Sequence, residues 1–191
     1  MNLKPIAAAL SLTLPTTHAW SHTAGVHKRD VVTVNSKGLE ILVTLDFDAG
    51  KRALLLRQGA DRNADGRLSK EELTQLKSRL DQMARSHLHL TIAGYNLALT
   101  ASDSKLSIRE NFEVSDTGVS YAVLLKSDFP SAPTRGMVLE VADESPDRSH
   151  VRVEVFDEGA PDSWGAPQSG ELRSGEKLTV RLGARVESKS D

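Results

Sequence analysis

Apolar and polar residues alternate over much of this chain, which is the pattern of strands that bury one face. Polar turns separate the alternating stretches, as at residues 35–38. The predicted strands are 31–34, 39–45, 88–92, 97–99, 106–114, 119–125, 137–141, 151–155 and 178–182. Many short strands joined by turns predict an antiparallel β-sandwich-like domain or an open barrel.

The alternation is interrupted between about residues 48 and 88, where the apolar spacing becomes helical. Residues 51–57 are predicted to form a first helix. A second helix is predicted to bury one face, because its apolar residues recur every three or four positions: Leu73, Leu76, Leu80 and Met83. Residues 161–175 have the composition of a long loop. The predicted fold is therefore a single, mainly β domain over 20–191 with a helical insert, of the α+β class.

Oxygen-bearing side chains are regularly spaced between the two predicted helices. These are Asp61, Asn63, Asp65, Ser69 and Glu72, and Arg67 adds a backbone carbonyl. Gly66 permits a sharp bend in the middle. A hard dication takes six to eight oxygen ligands, so this spacing predicts that Ca²⁺ binds at residues 61–72.

This segment resembles the twelve-residue calcium loop of EF-hand proteins, of the single-hand, exported bacterial type. The resemblance implies that Glu72 closes the ligand shell with both carboxylate oxygens. Leu68 stands at position eight, where such loops make a short strand-like contact. Ser69 and Glu72 also form a capping-box pattern that opens a helix. No second calcium loop is present, although EF-hands usually brace each other in pairs. Either the β domain or a second molecule must hold the helices, and the flanking strands favour the β domain.

The N-terminal residues have the features of a secretory signal peptide. Lys4 precedes an apolar stretch at 6–14, which is too short to cross a bilayer as a helix. Cleavage after Ala19 best fits the preference for small residues and gives a signal peptide of residues 1–19. Cleavage after Ala24 is the alternative. The predicted location is therefore periplasmic or secreted, with no membrane span in the mature chain.

The histidines allow a second metal site. If the mature chain begins at Trp20, its amine, two backbone amides and His22 can form a square-planar nitrogen site for copper(II) or nickel(II). A terminus without a metal function is the competing interpretation. His87 and His89 are two residues apart and would share a strand face, which we interpret as solvated because no third ligand is evident.

The order of elements also resembles bacterial periplasmic domains associated with nickel/cobalt-type transporters. The residues that carry this likeness are Leu88 to Gly94, Phe129 and Pro130, the strand 137–141 and Asp143. Those domains often begin with His-Pro-Leu-Gly, whereas residues 22–25 here read His-Thr-Ala-Gly. The resemblance implies a membrane transporter or another envelope protein as a partner.

Composition excludes several functional classes. The chain has no cysteine and a formal net charge of −2. Disulfides and thiolate metal sites are therefore excluded, and nucleic acid is not an expected partner. No hydrolase, phosphate-loop or zinc-protease motif is present, so we expect no enzymatic activity. The sequence favours an exported calcium-binding protein that uses calcium as a structural brace or in a calcium-dependent interaction module. The alternative is an accessory protein for nickel, cobalt or copper handling.

Overall fold

The computed structural model describes residues 25–108, 112–129, 134–144, 151–157, 168–173 and 175–183. Within these ranges the chain forms the following elements: β1 (Val26–Val34), β2 (Gly38–Phe47), α1 (Lys51–Gln58), α2 (Lys70–Ser86), β3 (Leu88–Ile92), β4 (Tyr95–Asn96), β5 (Thr100–Ile108), β6 (Val119–Asp128), β7 (Val138–Asp143), β8 (Val151–Asp157), β9 (Gln168–Leu172) and β10 (Lys177–Arg181). No helix in the described part of the chain has the length and apolar character that a membrane crossing requires.

The strands form two sheets. A six-stranded sheet has the order β5-β6-β2-β1-β8-β9, and a four-stranded sheet has the order β10-β7-β3-β4. The predicted fold class is confirmed, because the structure is mainly β with two helices between β2 and β3. The strand directions differ from the prediction at one place. β1 and β8 pair in parallel, with Lys28 opposite Val151, while the other pairs are antiparallel.

In most strands, the alternation in the sequence corresponds to one face that lies in a common core. In the six-stranded sheet, Ile41, Val43 and Leu125 are fully buried. In the four-stranded sheet, Leu90 and Val141 are also buried and belong to the same hydrophobic cluster. Because side chains on a strand alternate between faces, burial of every second residue fixes the register of β1, β2, β3 and β6.

Helix α2 covers part of the six-stranded sheet, where it lies against β2, β5 and β6. Its most deeply buried apolar residues are Leu76, Leu80 and Ala84, which are spaced four apart. The predicted stripe is therefore slightly rotated: Leu73 and Met83 are only partly buried and pack at the margin of the core. Residues four apart lie on one helical face. The predicted face of α2 therefore packs against the sheet, and only the boundary of its buried stripe differs from the prediction.

Three predicted segments differ from the structure. Residues 168–172 form β9 and not part of a loop, because β8 offers a pairing edge and Leu172 is buried opposite Val151. Leu97 and Leu99 lie outside the strands, although both pack against the core. Residues 112–114 are also outside β5, which ends at Ile108. In these segments tertiary contacts decided the outcome, and the local alternation did not.

Candidate calcium site

Residues 61–72, which we call the acidic loop, follow α1 and extend into the first turn of α2. Side chains in its first half accept hydrogen bonds from backbone N–H groups further along the loop. Asp61 Oδ2 accepts from Gly66 N at 3.0 Å, and Asn63 Oδ1 accepts from Asp65 N at 3.1 Å. Asp65 Oδ1 accepts from Arg67 N at 2.8 Å. Such bonds are typical of Asp and Asn in turns, and here they curl three oxygen-bearing residues into one compact turn.

The bend at Gly66 depends on its backbone conformation. Its φ of 80° lies in the left-handed region, which side chains other than glycine rarely adopt. A Cβ built at this position would meet nothing within 4 Å. The requirement for glycine is therefore conformational and not a matter of space. It agrees with the sequence prediction that position six of the loop is the turning point.

Glu72 closes the other end of the acidic loop. Its Oε2 accepts from Ser69 N at 2.8 Å, and its Oε1 accepts from Arg62 N at 2.7 Å. Ser69 Oγ accepts from Glu72 N at 3.3 Å, which completes a capping box at the start of α2. The hydrogen bond from Ser69, followed by that from Arg62, lowers the pKa of Glu72 below its ordinary value. The carboxylate is thus held ionised, which is the form that binds a cation.

One oxygen of Asp61 has no donor in the described part of the chain. Asp61 Oδ1 is buried and makes no hydrogen bond among the described residues, while Oδ2 of the same carboxylate is fixed by Gly66 N–H. A buried acceptor without a partner is unfavourable. A bound cation would satisfy it, so the chemistry of the acidic loop fits a hard ion such as Ca²⁺.

The predicted ligands share one loop, but they are not all turned toward one point. Asn63 Nδ2 donates to Asp65 Oδ2 at 2.9 Å, and both Glu72 oxygens accept from backbone amides. In the described part of the chain, no three acidic, histidine or cysteine side chains are placed together so that they would hold an ion. Calcium binding therefore requires these side chains to exchange some of their present partners for the ion.

A segment between β5 and β6, residues 112–118, lies against the acidic loop, and we call it the strap. Leu68 N donates to Phe112 O at 2.7 Å, and Val114 N donates to Gly66 O at 2.9 Å. These bonds form an antiparallel β-bridge between Arg67 and Glu113. The sequence indicated that position eight of the loop needs a strand-like contact. It did not identify the strap, which is more than 40 residues away, as the partner.

Arg57 of α1 fastens the strap. Its side chain is fully buried. Nη1 donates to Glu113 O at 2.9 Å, and Nη2 lies 2.6 Å from Thr117 Oγ1. Nη2 also donates to Thr117 O at 3.1 Å and to Gly118 O at 3.2 Å. Hydrogen bonds from a charged donor are the stronger class, so Arg57 fixes the strap beside the acidic loop. Sequence reasoning did not single it out, because an arginine in a short helix is ordinarily solvated.

The remaining histidine predictions have different outcomes. The predicted signal peptide, residues 1–19, and the candidate ligand His22 lie outside the described residues. His89 is exposed in β3, but His87 is the C-cap of α2 and is partly buried. The expectation that these two histidines share one strand face is therefore wrong, since the strand begins at Leu88.

A second group of ionisable residues is buried between the sheets. Lys28 and Asp30 of β1 and Asp143 of β7 are at most 4% exposed. Lys28 Nζ forms an ion pair with Asp143 and donates to Ala84 O at 3.2 Å. Neither oxygen of Asp30 receives a hydrogen bond from a described donor. Asp30 lies close enough to Asp143 for the two carboxyl groups to form a hydrogen bond when one of them is protonated.

Burial is the main cause that raises the pKa of Asp30 to about 7. Lys28 lowers this pKa, and the negative charge of Asp143 raises it further. Lys28, Asp30 and Asp143 lie where β1, β7 and the end of α2 meet. Asp30 is therefore a titratable group inside the fold. This cluster was not predicted from the sequence, because the first predicted strand began at Val31, after Lys28 and Asp30.

The chain matches no model of a known protein family, and no curated protein matches it. A functional assignment therefore depends on the acidic loop and on what holds it.

Proposed function

We propose that this protein is an exported, non-enzymatic calcium-binding protein with one EF-hand-type site at residues 61–72. The observation that carries the proposal is the conformation of the acidic loop. Asp61, Asn63 and Asp65 are curled into one turn by their own hydrogen bonds, and Asp61 Oδ1 is buried with no donor among the described residues. Such a turn is partly organised for a cation before the cation arrives, which reduces the ordering that binding requires.

The ligands would be the oxygens that the spacing of the loop predicts. Asp61, Asn63, Asp65, Ser69 and Glu72 would contribute side-chain oxygens, and Arg67 would contribute its carbonyl. Calcium would supply positive charge among three carboxylates that otherwise repel one another. It would thereby join the end of α1 to the start of α2.

A structural brace is the form of this function that the contacts favour. Arg57 and the strap already hold the acidic loop against the β domain. A calcium sensor instead exposes an apolar, often methionine-rich groove. Met83 is the one methionine of the two helices, and it packs against the core. The predicted transporter partner stays a prediction, since no contact among the described residues bears on it.

The test is calcium binding by calorimetry, together with thermal unfolding after chelator treatment. We expect a dissociation constant of about 10⁻⁴ to 10⁻³ M, the range of extracellular modules. Calcium at a hundredfold excess over this constant should add roughly 2.7 kcal/mol to the free energy of unfolding. Magnesium, which demands a smaller and more regular shell, should add little.

Two variants locate the binding site. Glu72→Gln removes the carboxylate that closes the loop and should abolish most of the calcium heat. Glu71→Gln is the matched control, because it removes a carboxylate one residue away that is exposed on α2. The proposal fails if the wild-type protein gives no calcium heat, or if both variants bind calcium as well as the wild type does.

A further inference from the structure

The backbone N–H group of Leu68 in the acidic loop needs a hydrogen-bond acceptor that a single EF-hand does not itself provide. Leu68 is 4% exposed, and a buried N–H group needs an acceptor. Phe112 O supplies that acceptor at 2.7 Å, and Gly66 O receives Val114 N–H in return at 2.9 Å. The strap thus occupies the position that a second calcium loop would have in a paired EF-hand.

The strap is not a stable strand by itself. Phe112 has a φ of 58°, in the left-handed region that disfavours a phenylalanine, and its side chain is 50% exposed. Residues in such conformations persist only when surrounding contacts hold them there. For the strap, these contacts include the bridge to the acidic loop, the hydrogen bonds from Arg57 and a 2.6 Å hydrogen bond from Gly50 N to Asp116 O.

Arg57 contacts both the strap and the acidic loop. Its guanidinium group donates to Glu113 and Thr117 of the strap. Its backbone carbonyl accepts from Asp61 N–H at 3.0 Å, and Asp61 is the first predicted calcium ligand. A change in the position of Asp61 on ion binding therefore acts directly on the residue that fastens the strap.

We infer that the strap replaces the missing second EF-hand, and that Arg57 is the positioning residue through which calcium and the strap affect each other. This inference rests on the proposed calcium site. Coupling between two events is reciprocal: if calcium tightens the contact between strap and loop, loosening the strap must weaken calcium binding by the same factor. The strap, residues 112–118, then becomes more ordered when calcium is bound.

The first experiment measures calcium affinity in variants that leave every predicted ligand intact. Thr117→Val removes the hydroxyl that lies 2.6 Å from Arg57 Nη2. Arg57→Lys keeps the charge but loses the planar, forked geometry. We expect calcium to bind about three- to tenfold more weakly to Thr117→Val and roughly tenfold more weakly to Arg57→Lys. Losing a hydrogen bond weakens calcium binding only by the difference in the strength of that bond between the calcium-free and calcium-bound states.

The matched control is Thr91→Val. Thr91 Oγ1 donates to Glu140 Oε2 at 3.3 Å in the four-stranded sheet, so this variant also loses a threonine hydrogen bond, but away from the strap. It should change stability slightly and leave calcium affinity within about twofold of the wild type.

The second experiment follows hydrogen exchange at the amides of Leu68 and Val114, which form the bridge. Calcium should slow exchange at both amides in the wild-type protein and leave them unchanged in Glu72→Gln. If the strap has a purely structural role, loosening it should lower the stability of the calcium-free protein, but calcium should not slow exchange at these two amides.

The outcomes separate the inference from the proposed function. If wild-type protein binds calcium but Thr117→Val and Arg57→Lys bind it equally well, the inference is wrong and the calcium site stands. If wild-type protein gives no calcium heat, both are wrong. If Arg57→Lys does not fold, as judged by far-ultraviolet circular dichroism, Thr117→Val and the exchange rates decide.

Discussion

Replacing Asp30 by asparagine tests whether the buried ionisable cluster makes the fold sensitive to pH. Asp30 is fully buried, and its pKa is raised from an ordinary value of 3.8 to about 7. Below pH 3.8 the carboxyl is protonated in both the folded and the unfolded chain. Between pH 3.8 and about 7 the folded chain keeps a proton that the unfolded chain has lost. The free energy of unfolding therefore falls as pH rises through this window.

The size of the effect follows from the shift in pKa. A difference of one pKa unit corresponds to about 1.4 kcal/mol, so the whole window corresponds to roughly 4 kcal/mol of lost stability. Asparagine has nearly the same shape and cannot ionise. Its amide can donate to the carboxylate of Asp143, which lies near Asp30. We expect the stability gain of Asp30→Asn over the wild type to be about 3 kcal/mol larger at pH 8 than at pH 5, because the wild type loses about 1.4 kcal/mol per pH unit between pH 5 and about 7.

The assay is urea denaturation of calcium-free protein at pH 5, 6, 7 and 8. The quantity of interest is the difference between the variant and the wild type, because other groups contribute to both curves. Asp46→Asn is the matched control, since Asp46 is an exposed aspartate of β2, and it should follow the wild type at every pH. Parallel curves for the wild type and Asp30→Asn would refute the reasoning. So would a loss of stability in Asp30→Asn at pH 8, which would mean that an ionised Asp30 is stabilised by Lys28.

Two further predictions concern α2 and the N-terminus. Tyr121→Phe should lower the free energy of unfolding by about 1 kcal/mol in urea denaturation, because it removes the 3.1 Å bond from Tyr121 Oη to Asp81 Oδ1. An unchanged free energy of unfolding would show that this bond does not stabilise the native state. N-terminal sequencing of the exported protein should find Trp20 as the first residue, and any other start removes the predicted copper or nickel site at His22.

The features that could be predicted from the sequence are those that depend on neighbouring residues. Alternation predicted the buried face of β2, and the spacing of oxygen-bearing side chains predicted the acidic loop. The capping pattern of Ser69 and Glu72 likewise fixed the start of α2. Each depends on residues a few positions apart, where local geometry determines the outcome.

The features that were missed depend on residues far apart in the chain. β9 exists because β8 offers it an edge, although Leu172 is the one apolar residue of that strand with a buried side chain. The contact of Leu68 with the strap and the pairing of Lys28 with Asp143 likewise join segments more than 40 residues apart. Periodicity carries no information about such partners, because it describes the face that a residue occupies and not what lies opposite.

Ionisation of Asp30 and calcium binding both change the free energy of unfolding. Their relative magnitudes determine how much of the total stability calcium supplies. With a dissociation constant of about 10⁻⁴ to 10⁻³ M, calcium at roughly 1 mM adds only about 0.4 to 1.4 kcal/mol. Ionisation of Asp30 removes up to roughly 4 kcal/mol as pH rises to about 7. The contribution of Asp30 to stability is therefore smallest at and above about pH 7. We expect the shift in melting temperature on calcium addition to remain similar at pH 6 and pH 8, while the fraction of total stability that calcium supplies is larger at pH 8.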